Sequence, residues 1–394
     1  MHNRPTQLLL NLAHALDHMF LLIFATAVTA IATDFGLARW EDLMPYGVLA
    51  FFLFGVGSLP AGRLGDLWGR RPMIIIFFVG IGLSSVLAGL TQSPWQLALA
   101  LALLGAFASI YHPVGIPMLL QGATKPGWTI GVNGLAGNLG LALAAILTGW
   151  MVKHVGWRAA FIVPGVVSML GGLVFALVAP RETLAPAQRK ATPQVDVGMP
   201  LGQLLFIMTV ASTVSGLLFN LSTNANYELL ADRLREITRD PARLGLLLAA
   251  VYAVSALAQL VVGRLIDRFA LKPLYLSIIA VQGLLIALST QVNGWLFLVL
   301  QLLFMAFIFG AIPFTDAMIV RFVDDRLRSR VAGMRLAVSL GASSLAVWLI
   351  GPLVKAAGFT TLLWVMAACS LASLLVISRL PRAAGAAAVQ PARA

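Results

Sequence analysis

Twelve apolar runs, each long enough to cross a membrane as a helix, constrain the fold of this chain most. A transmembrane helix needs roughly 20 consecutive, mainly apolar residues. Strands of a membrane β-barrel would be shorter and would alternate polar with apolar residues. The pattern predicts an all-α membrane protein with twelve transmembrane helices, here called spans 1 to 12. The predicted spans lie at about 8–33, 44–64, 73–91, 95–120, 128–152, 158–179, 201–224, 243–266, 272–291, 294–320, 331–354 and 359–379.

The composition agrees with a chain that is surrounded by lipid. Hydrophobic residues make up 60% of the sequence and charged residues 11%, whereas a soluble domain carries about 25% charged residues. The formal net charge is +12, but the basic residues fall in short gaps between apolar runs, as membrane topology requires. We therefore expect no nucleic-acid partner. The single cysteine, Cys369, allows neither an internal disulfide nor a cysteine metal cluster.

The longest polar interruption divides the runs into two sets of six. It extends from Arg181 to Met199 and contains Pro186 and Pro193. The predicted organisation is a six-helix half at 1–180, a cytoplasmic linker at 181–200, a second half at 201–381 and a disordered tail at 382–394. Most of the 27 Lys and Arg residues lie on the side of the termini, which predicts cytoplasmic termini in a bacterial inner membrane. In the largest loop on the side opposite the termini, at about 225–242, leucines at helical spacing predict a short surface helix.

One internal repeat indicates two related halves. Residues 62–72 read GRLGDLWGRRP, and residues 263–273, which lie 201 positions later, read GRLIDRFALKP. Both segments follow the second span of their half. Internal repeats are typical of secondary transporters, and parallel repeats occur in the major facilitator fold. We therefore expect two pseudo-symmetric six-helix bundles.

The first copy resembles the signature loop of the major facilitator superfamily. The residues that match are Gly62, Asp66, Gly69, Arg70 and Arg71. The resemblance implies a cytoplasmic charge network that acts as a conformational gate. The other predicted gate residues are the repeat partners and a candidate ion partner, namely Gly263, Asp267 and Arg335. Alternatively, Arg70 and Arg71 only set the membrane topology.

Few ionisable residues lie inside the predicted spans, and each is a functional candidate because such groups cost several kcal/mol at membrane depth. Span 1 carries His14, Asp17 and His18, which share one helix face because they are three and four residues apart. Span 4 carries His112, and span 10 carries Asp316. Asp17, His14 and His112 form the predicted proton-coupling set, because a carboxylate and imidazoles can share a proton.

Other polar or aromatic residues are predicted to line a substrate cavity. Pro113 and Pro117 kink span 4 next to His112. The polar residues at the end of span 7 predict a broken helix there. Simple helix packing is an alternative role for the uncharged candidates. Asp316 could instead form an interfacial ion pair with Arg321, and His18 could pair with His14 or lie near the cytoplasmic interface. Together with His18 and Asp316, the predicted cavity residues are Tyr111, Asn133, Asn138, Asn220, Gln259, Gln301 and Trp348.

Three segments resemble the fosmidomycin-resistance type of bacterial exporter. They are LAHALDHM in span 1, SIYHP in span 4 and AGNLG in span 5. The matching residues are His14, Asp17, His112, Pro113, Asn138 and Gly140. The resemblance implies proton-driven export of small molecules. The sequence places no cation deep in spans 1, 4 or 7, which argues against a phosphonate substrate.

The leading hypothesis is therefore a proton-coupled carrier of a small organic molecule or drug that works by alternating access. A second hypothesis is a carrier of a metal ion or metal chelate that uses the histidines as ligands. A third is a receptor or assembly factor that transports nothing. We expect a monomer without a cofactor or resident metal. No nucleophile–base set or phosphate loop indicates an enzyme.

Overall fold

The protein is described from a computed structural model. The structure describes residues 4–121, 126–181, 200–322 and 325–380, without the side chains of 126–127, 201, 267, 316–322 and 325–332. All regular secondary structure in these ranges is helical. The predicted linker and tail fall almost entirely outside the described residues, so the predicted domain limits stay predictions.

Twelve helical spans cross the molecule, as predicted. Eleven helical segments are long and apolar enough to span a membrane, and the last of them is two spans merged across a kink at Gly358, where φ is 74°. The spans of the first half are Arg4–Asp34, Val48–Val56 with Ser58–Trp68, Arg70–Gly89, Pro94–Ala108 with Ile116–Leu120, Pro126–His154 and Trp157–Val178. Those of the second half are Leu201–Arg233, Pro241–Arg268, Leu271–Ser289, Gly294–Phe322, 325–357 and 359–378.

Local sequence signals set several helix ends. Span 4 begins at Pro94, and the side chain of Ser93 accepts a hydrogen bond from the backbone N–H of Gln96. Span 8 begins at Pro241, where Asp240 accepts from a backbone N–H in the same way. Proline suits the first turn of a helix because its missing N–H would have no helical partner there. These caps fix where the chain enters both spans.

Span 7 is longer than predicted, and two expectations about it were wrong. Its helix is continuous from Leu201 to Arg233, so its outer end is not broken and the loop contains no separate helix. The polar residues at its end are buried in the bundle, and Asn226 donates to the hydroxyl of Tyr252 at 3.2 Å. Leu229 and Leu230 are fully buried on the same helix. Partners inside the bundle therefore let this polar segment remain helical.

The two halves meet along two pairs of spans. Span 5 packs on span 8, and span 2 packs on span 11. Small residues allow backbones to approach closely at membrane helix contacts. A Cβ atom at Gly55 would lie 2.3 Å from the backbone nitrogen of Gly341 across the second contact. The halves are therefore in close contact on both sides of the central axis.

The repeated loops also tie each half together. The Arg71 guanidinium donates to the backbone carbonyls of Ala176 and Ala179 at the end of span 6, the latter at 2.9 Å. Lys272, its repeat partner, donates to the carbonyls of Ser378 and Leu380 at the end of span 12. Cations at a helix C-terminus satisfy carbonyls that have no partner in the helix. The two loops thus cap the sixth helix of their own half.

At the end of the molecule opposite the termini, side chains join the halves. Lys153 lies 2.6 Å from Asp240, and Lys355 pairs with Asp42. The rings of Trp40 and Phe359 stack with centroids 6.3 Å apart. The structure is therefore closed at this end, which positions the central cavity described next.

Candidate functional site

A cavity of about 150 Å³ lies between the two halves. From the first half come His18, Phe54 and His112. The second half supplies most of the wall, with hydroxyl, aromatic and aliphatic side chains and one arginine. Those residues are Ser212, Ser215, Gly216, Leu218, Phe219, Tyr275, Gln282, Ile308, Ala311, Ile312, Thr315, Arg335, Leu336, Ser339 and Leu340.

Three histidines gather at the first-half wall of this cavity. Nε2 of His14 lies 3.1 Å from Nε2 of His18, one helical turn further along span 1. The ring centroid of His112 lies 5.1 Å from that of His14 and 5.6 Å from that of His18. The structure thus brings together three residues that the sequence predicted on two separate spans.

The carboxyl group of Asp17 lies behind this wall. Its side chain is 0% exposed, and Oδ2 lies 3.6 Å from Nε2 of His112. Among the described residues, neither of its oxygens has a hydrogen-bond partner. Burying an ionised carboxylate without hydrogen bonds is strongly unfavourable. The buried carboxyl group of Asp17 is therefore favoured in its protonated, neutral form, with His112 as its neighbouring imidazole.

A wide turn in span 4 positions His112. Residues Tyr111–Gly115 form a π-helical turn between two α-helical segments, and Pro113 lies inside it. Proline removes a helix hydrogen bond, and π-turns in membrane helices are frequent at functional sites. The fully buried hydroxyl of Tyr111 donates to the carbonyl of Leu10 on span 1 at 2.9 Å. This bond holds the turn against span 1, beside His14.

Span 5 orients His14. Nδ1 of His14 lies 2.7 Å from the backbone carbonyl of Asn133, so Nδ1 carries the proton and donates. In the neutral ring Nε2 is then an acceptor, and Nε2 of His18 donates to it. The side-chain amide of Asn133 donates to the hydroxyl of Tyr111 at 2.7 Å. A Cβ atom at Gly137 would lie only 2.7 Å from the His14 ring, so glycine is needed for this approach.

The structure adds Arg335 to the cavity wall. Sequence analysis placed this residue in the gate, but its side chain is 8% exposed and faces the cavity that His18 and His112 also line. Gln282 of span 9 was not predicted either, and its amide donates to Ser370 at 3.0 Å. In the sequence Arg335 closely follows the arginines at 326, 328 and 330, so it does not stand out as a buried residue. Its direction depends on helix packing, which the sequence does not specify.

Several other predicted cavity residues lie away from this cavity. Asn138 and Gln259 are buried between helices, and Gln301 donates to Asn226 at 3.2 Å in a separate polar cluster of the second half. Asn220 donates back to Gly216 within span 7. Trp348 is 46% exposed and lies nine residues, or half a turn, from Ser339, so its predicted place on the cavity wall was wrong. The side chain of Asp316 is outside the described residues.

The predicted gate residues lie at the end of the molecule that carries the termini. Gly62 and Asp66 line a second cavity of about 440 Å³, together with Gly333 of span 11. Arg70 donates to the carbonyl of Pro117 at 3.0 Å, which links the loop to span 4. Gly69 has a φ of 99°, a conformation that favours glycine. In the second copy, Gly263 is half-buried, and the side chain of Asp267 is outside the described residues.

The histidine cluster also has the geometry of a metal-ligand set. One ring nitrogen from each of His14, His18 and His112 lies within 4.8 Å of the others. Imidazole nitrogens bind Zn²⁺ at about 2.0–2.1 Å, and a carboxylate such as that of Asp17 can complete such a set. The arrangement can therefore share protons or hold a divalent transition metal.

Comparison with known proteins agrees with this architecture. The family model described as Major Facilitator Superfamily matches residues 10–230 and 204–393. The chain is 24% identical over 288 residues to "Multidrug resistance protein MdtG" of Escherichia fergusonii, covering 71% of this chain and 70% of that protein. It is 30% identical over 183 residues to "Puromycin resistance protein pur8" of Streptomyces alboniger, covering 45% of this chain and 34% of that one. The match thus spans about a third of the latter protein's length.

A solved structure shares the fold. It is that of a bacterial homologue of the human lysosomal transporter Spinster, in an inward-facing and occupied conformation. The TM-score is 0.71 at 15% sequence identity, and the match covers 97% of this chain and 98% of that one. With the family match over both halves, the twelve spans and the central cavity, the comparison leads to one conclusion: this chain belongs to the Major Facilitator Superfamily.

Proposed function

We propose that this protein is a secondary active transporter that exports a small organic molecule in exchange for protons. Family membership supports transport across a membrane, and the cavity between the halves is where alternating access requires a substrate site. Two relatives are named for multidrug and puromycin resistance, which supports export. We place the protein in a bacterial inner membrane as a monomer with both termini in the cytoplasm.

The observation that carries proton coupling is the position of Asp17. Its carboxyl group is fully buried, has no hydrogen-bond partner among the described residues and lies 3.6 Å from a cavity-lining imidazole. A charge at membrane depth costs several kcal/mol unless it is paired or solvated. Asp17 therefore holds a proton while it is buried and releases it when the halves rock and water reaches it.

The histidines have distinct roles in this proposal. His112 exchanges the proton of Asp17 with the cavity, because it contacts both. His14 holds His18 through the bond between their Nε2 atoms, and is itself fixed by the carbonyl of Asn133. His18 faces the cavity, where a bound substrate can alter its protonation. Binding of the substrate and binding of the proton are thereby coupled through the first-half wall of the cavity.

The finer family assignment is also a proposal. His14, Asp17 and His112, which resemble residues of the fosmidomycin-resistance type of exporter, lie in a single cluster. Gly140, another matching residue, permits span 5 to approach span 1, since a Cβ there would lie 2.0 Å from the carbonyl of Ala15. We propose that the chain is an exporter of this type. The gate of this exporter would consist of the two repeated loops.

Transport in vesicles tests the coupling. A thermal-stability screen of the purified protein against organic acids, lipophilic drugs, phosphonates, metal ions and siderophores first identifies a ligand, because ligands of the folded state raise its melting temperature. That ligand is then followed in proteoliposomes with an imposed pH gradient. We expect Asp17→Asn to lose accumulation driven by the gradient but to keep counterflow exchange. Accumulation equal to that of wild type would refute the assignment of Asp17.

A second candidate function is transport of a metal ion or metal chelate. It is favoured by the three histidine ligand atoms within 4.8 Å of one another. In that case His14→Ala and His112→Ala each abolish uptake or export of the metal, while organic ligands have no effect. Metal transport that is unchanged in both variants would eliminate this candidate.

A further inference from the structure

Arg335 lies near the cytoplasmic end of span 11 and faces the central cavity. Its side chain is 8% exposed, and Leu336 and Leu340 line the cavity beside it. A guanidinium that is largely buried inside a helix bundle is costly, and such residues commonly mark substrate pathways. Arg335 is therefore a candidate for substrate contact.

The rest of the wall is rich in hydrogen-bond donors. Hydroxyl groups come from Ser215, Tyr275 and Thr315, and imidazoles from His18 and His112. Among the described residues of the wall there is no carboxylate, and Asp17 lies behind His112. Asp316 follows Thr315 in the chain, with its side chain outside the described residues. A cavity with a permanent cation and several donors favours an anionic ligand.

The geometry of a guanidinium favours an oxyanion such as a carboxylate. Arginine offers five N–H donors in a planar fork that matches a carboxylate in a bidentate way. Because the Arg335 guanidinium has five donors, it can bind a carboxylate while it also contacts other residues of the protein. The cavity holds a single arginine among its described lining residues, which suits a monoanion better than a dianion.

The remaining wall sets the size and character of the ligand body. Phe54 and Phe219 supply aromatic surface, and Leu218, Ile308 and Ile312 supply aliphatic surface. The volume of about 150 Å³ is close to that of an engineered apolar protein cavity known to bind benzene. A ring-sized apolar group therefore fits beside the arginine.

We propose that the substrate is a small organic monocarboxylate with a ring-sized apolar body, and that its carboxylate binds Arg335. This inference rests on the proposed transport function and specifies its substrate class. The aromatic residues contact the body, and the imidazoles of the first half face the bound anion across the cavity. The anion is thus released from the second-half wall of the cavity, and the Asp17 proton is released at the first-half wall.

Benzoate, benzamide and benzylamine test the proposal because they share a ring and differ in charge. Their binding to detergent-purified protein at pH 7.5 is measured by calorimetry and thermal shift. We expect benzoate to bind and to raise the melting temperature, with no comparable effect of the other two. We expect Arg335→Gln to weaken benzoate binding about 10- to 100-fold, the loss typical of a charged hydrogen-bonded pair. Arg243→Gln, which changes an exposed arginine in the first turn of span 8, should bind as wild type does.

A second measurement needs no variant and so does not depend on the folding of Arg335→Gln. Phenylglyoxal labelling of Arg335 in the wild-type protein is followed by mass spectrometry. We expect benzoate to slow the labelling and benzamide to leave it unchanged. Equal binding of benzamide or benzylamine, wild-type benzoate affinity in Arg335→Gln, no benzoate binding at all, or labelling that benzoate does not slow would each overturn the proposal.

Asp17→Asn separates this inference from the proposed function. We expect it to retain benzoate binding while losing accumulation driven by a pH gradient. If it binds benzoate and still responds to the gradient, the coupling role of Asp17 fails and the substrate class stands. If wild type and Asp17→Asn both fail to bind benzoate while gradient-driven transport of another ligand depends on Asp17, the substrate class fails alone.

Discussion

The two halves have the same helical framework but present different chemistry to the cavity. The first half contributes histidines backed by Asp17, whereas the second contributes hydroxyls, aromatic rings and Arg335. An offset of 201 residues places Ser215, Leu218 and Phe219 where span 1 has His14, Asp17 and His18.

Span 4 differs from span 10 in a related way. The chain around Pro113 forms a π-helical turn, but Pro313 lies inside a helix that stays α-helical. At an offset of 200, Ile312 takes the place of His112. Both loops cap the sixth helix of their own half, so this part of the framework is shared. In the proposed mechanism, proton chemistry belongs to the first half and substrate recognition belongs mainly to the second.

The largest effect is expected when one residue of each wall is changed. Such a pair of variants tests whether proton coupling and substrate binding belong to different halves. We expect His112→Gln to reduce gradient-driven accumulation about 100-fold, the lower end of the range for loss of a proton-transfer group. Ser339→Ala, on the opposite wall, should change substrate affinity and leave the dependence on the pH gradient intact. Both variants are compared in proteoliposomes at equal protein density. A loss of gradient dependence in Ser339→Ala would contradict the division.

A smaller effect is expected where a glycine supports each wall. A Cβ at Gly137 would lie 2.7 Å from the His14 ring, which the Asn133 carbonyl holds in place. A Cβ at Gly216 would lie 2.6 Å from the Ser343 hydroxyl, which can rotate away. Overpacking typically costs about 1–3 kcal/mol, so we expect Gly137→Ala to lower the melting temperature and the transport rate more than Gly216→Ala does. Thermal unfolding and transport assays decide the order, and the reverse order would be contrary to this account.

The loops provide a third comparison. Gly69 has φ 99° and ψ 154°, whereas its repeat partner Ala270 has φ −63° and ψ 129°. A side chain at the first position costs about 1–3 kcal/mol of backbone strain, so Gly69→Ala should lower stability. Ala270→Gly only adds freedom to the unfolded chain, typically about 0.4–1 kcal/mol. Melting temperatures of the two variants test this, and equal losses would show that the loops do not differ as described.

The smallest effect concerns the contact between halves at the closed end. The hydrogen bond from Lys153 holds the pKa of the Asp240 carboxyl below its usual range. Its contribution to stability is therefore present above the ordinary aspartate pKa of about 3.9 and is lost as the pH falls through the lowered pKa in the folded protein. We expect Lys153→Met to have a slightly lower melting temperature than wild type at pH 7, with the difference vanishing in strong acid. A difference that grows in acid would contradict the sign.

The sequence predicted the membrane spans and the part of the site that the first half supplies. Apolar length located the spans, and the spacing of His14, Asp17 and His18 placed them on one helix face. The directions in which Arg335 and Trp348 point could not be predicted from the sequence. The rotation of span 11 about its axis is set by its contacts with other helices. Span 7 was misjudged since partners such as Tyr252 satisfy its polar end, and those partners are distant in sequence.

Infrared difference spectroscopy tests the central claim, that Asp17 is the group that binds and releases the proton. Spectra of the reconstituted protein are compared across a pH titration for wild type, Asp17→Asn and the control Glu228→Gln, which changes a carboxyl that accepts from Thr29 at the closed end. We predict a C=O stretch of a protonated carboxyl that titrates in wild type and in Glu228→Gln and is absent in Asp17→Asn. The same titrating band in Asp17→Asn would contradict the account.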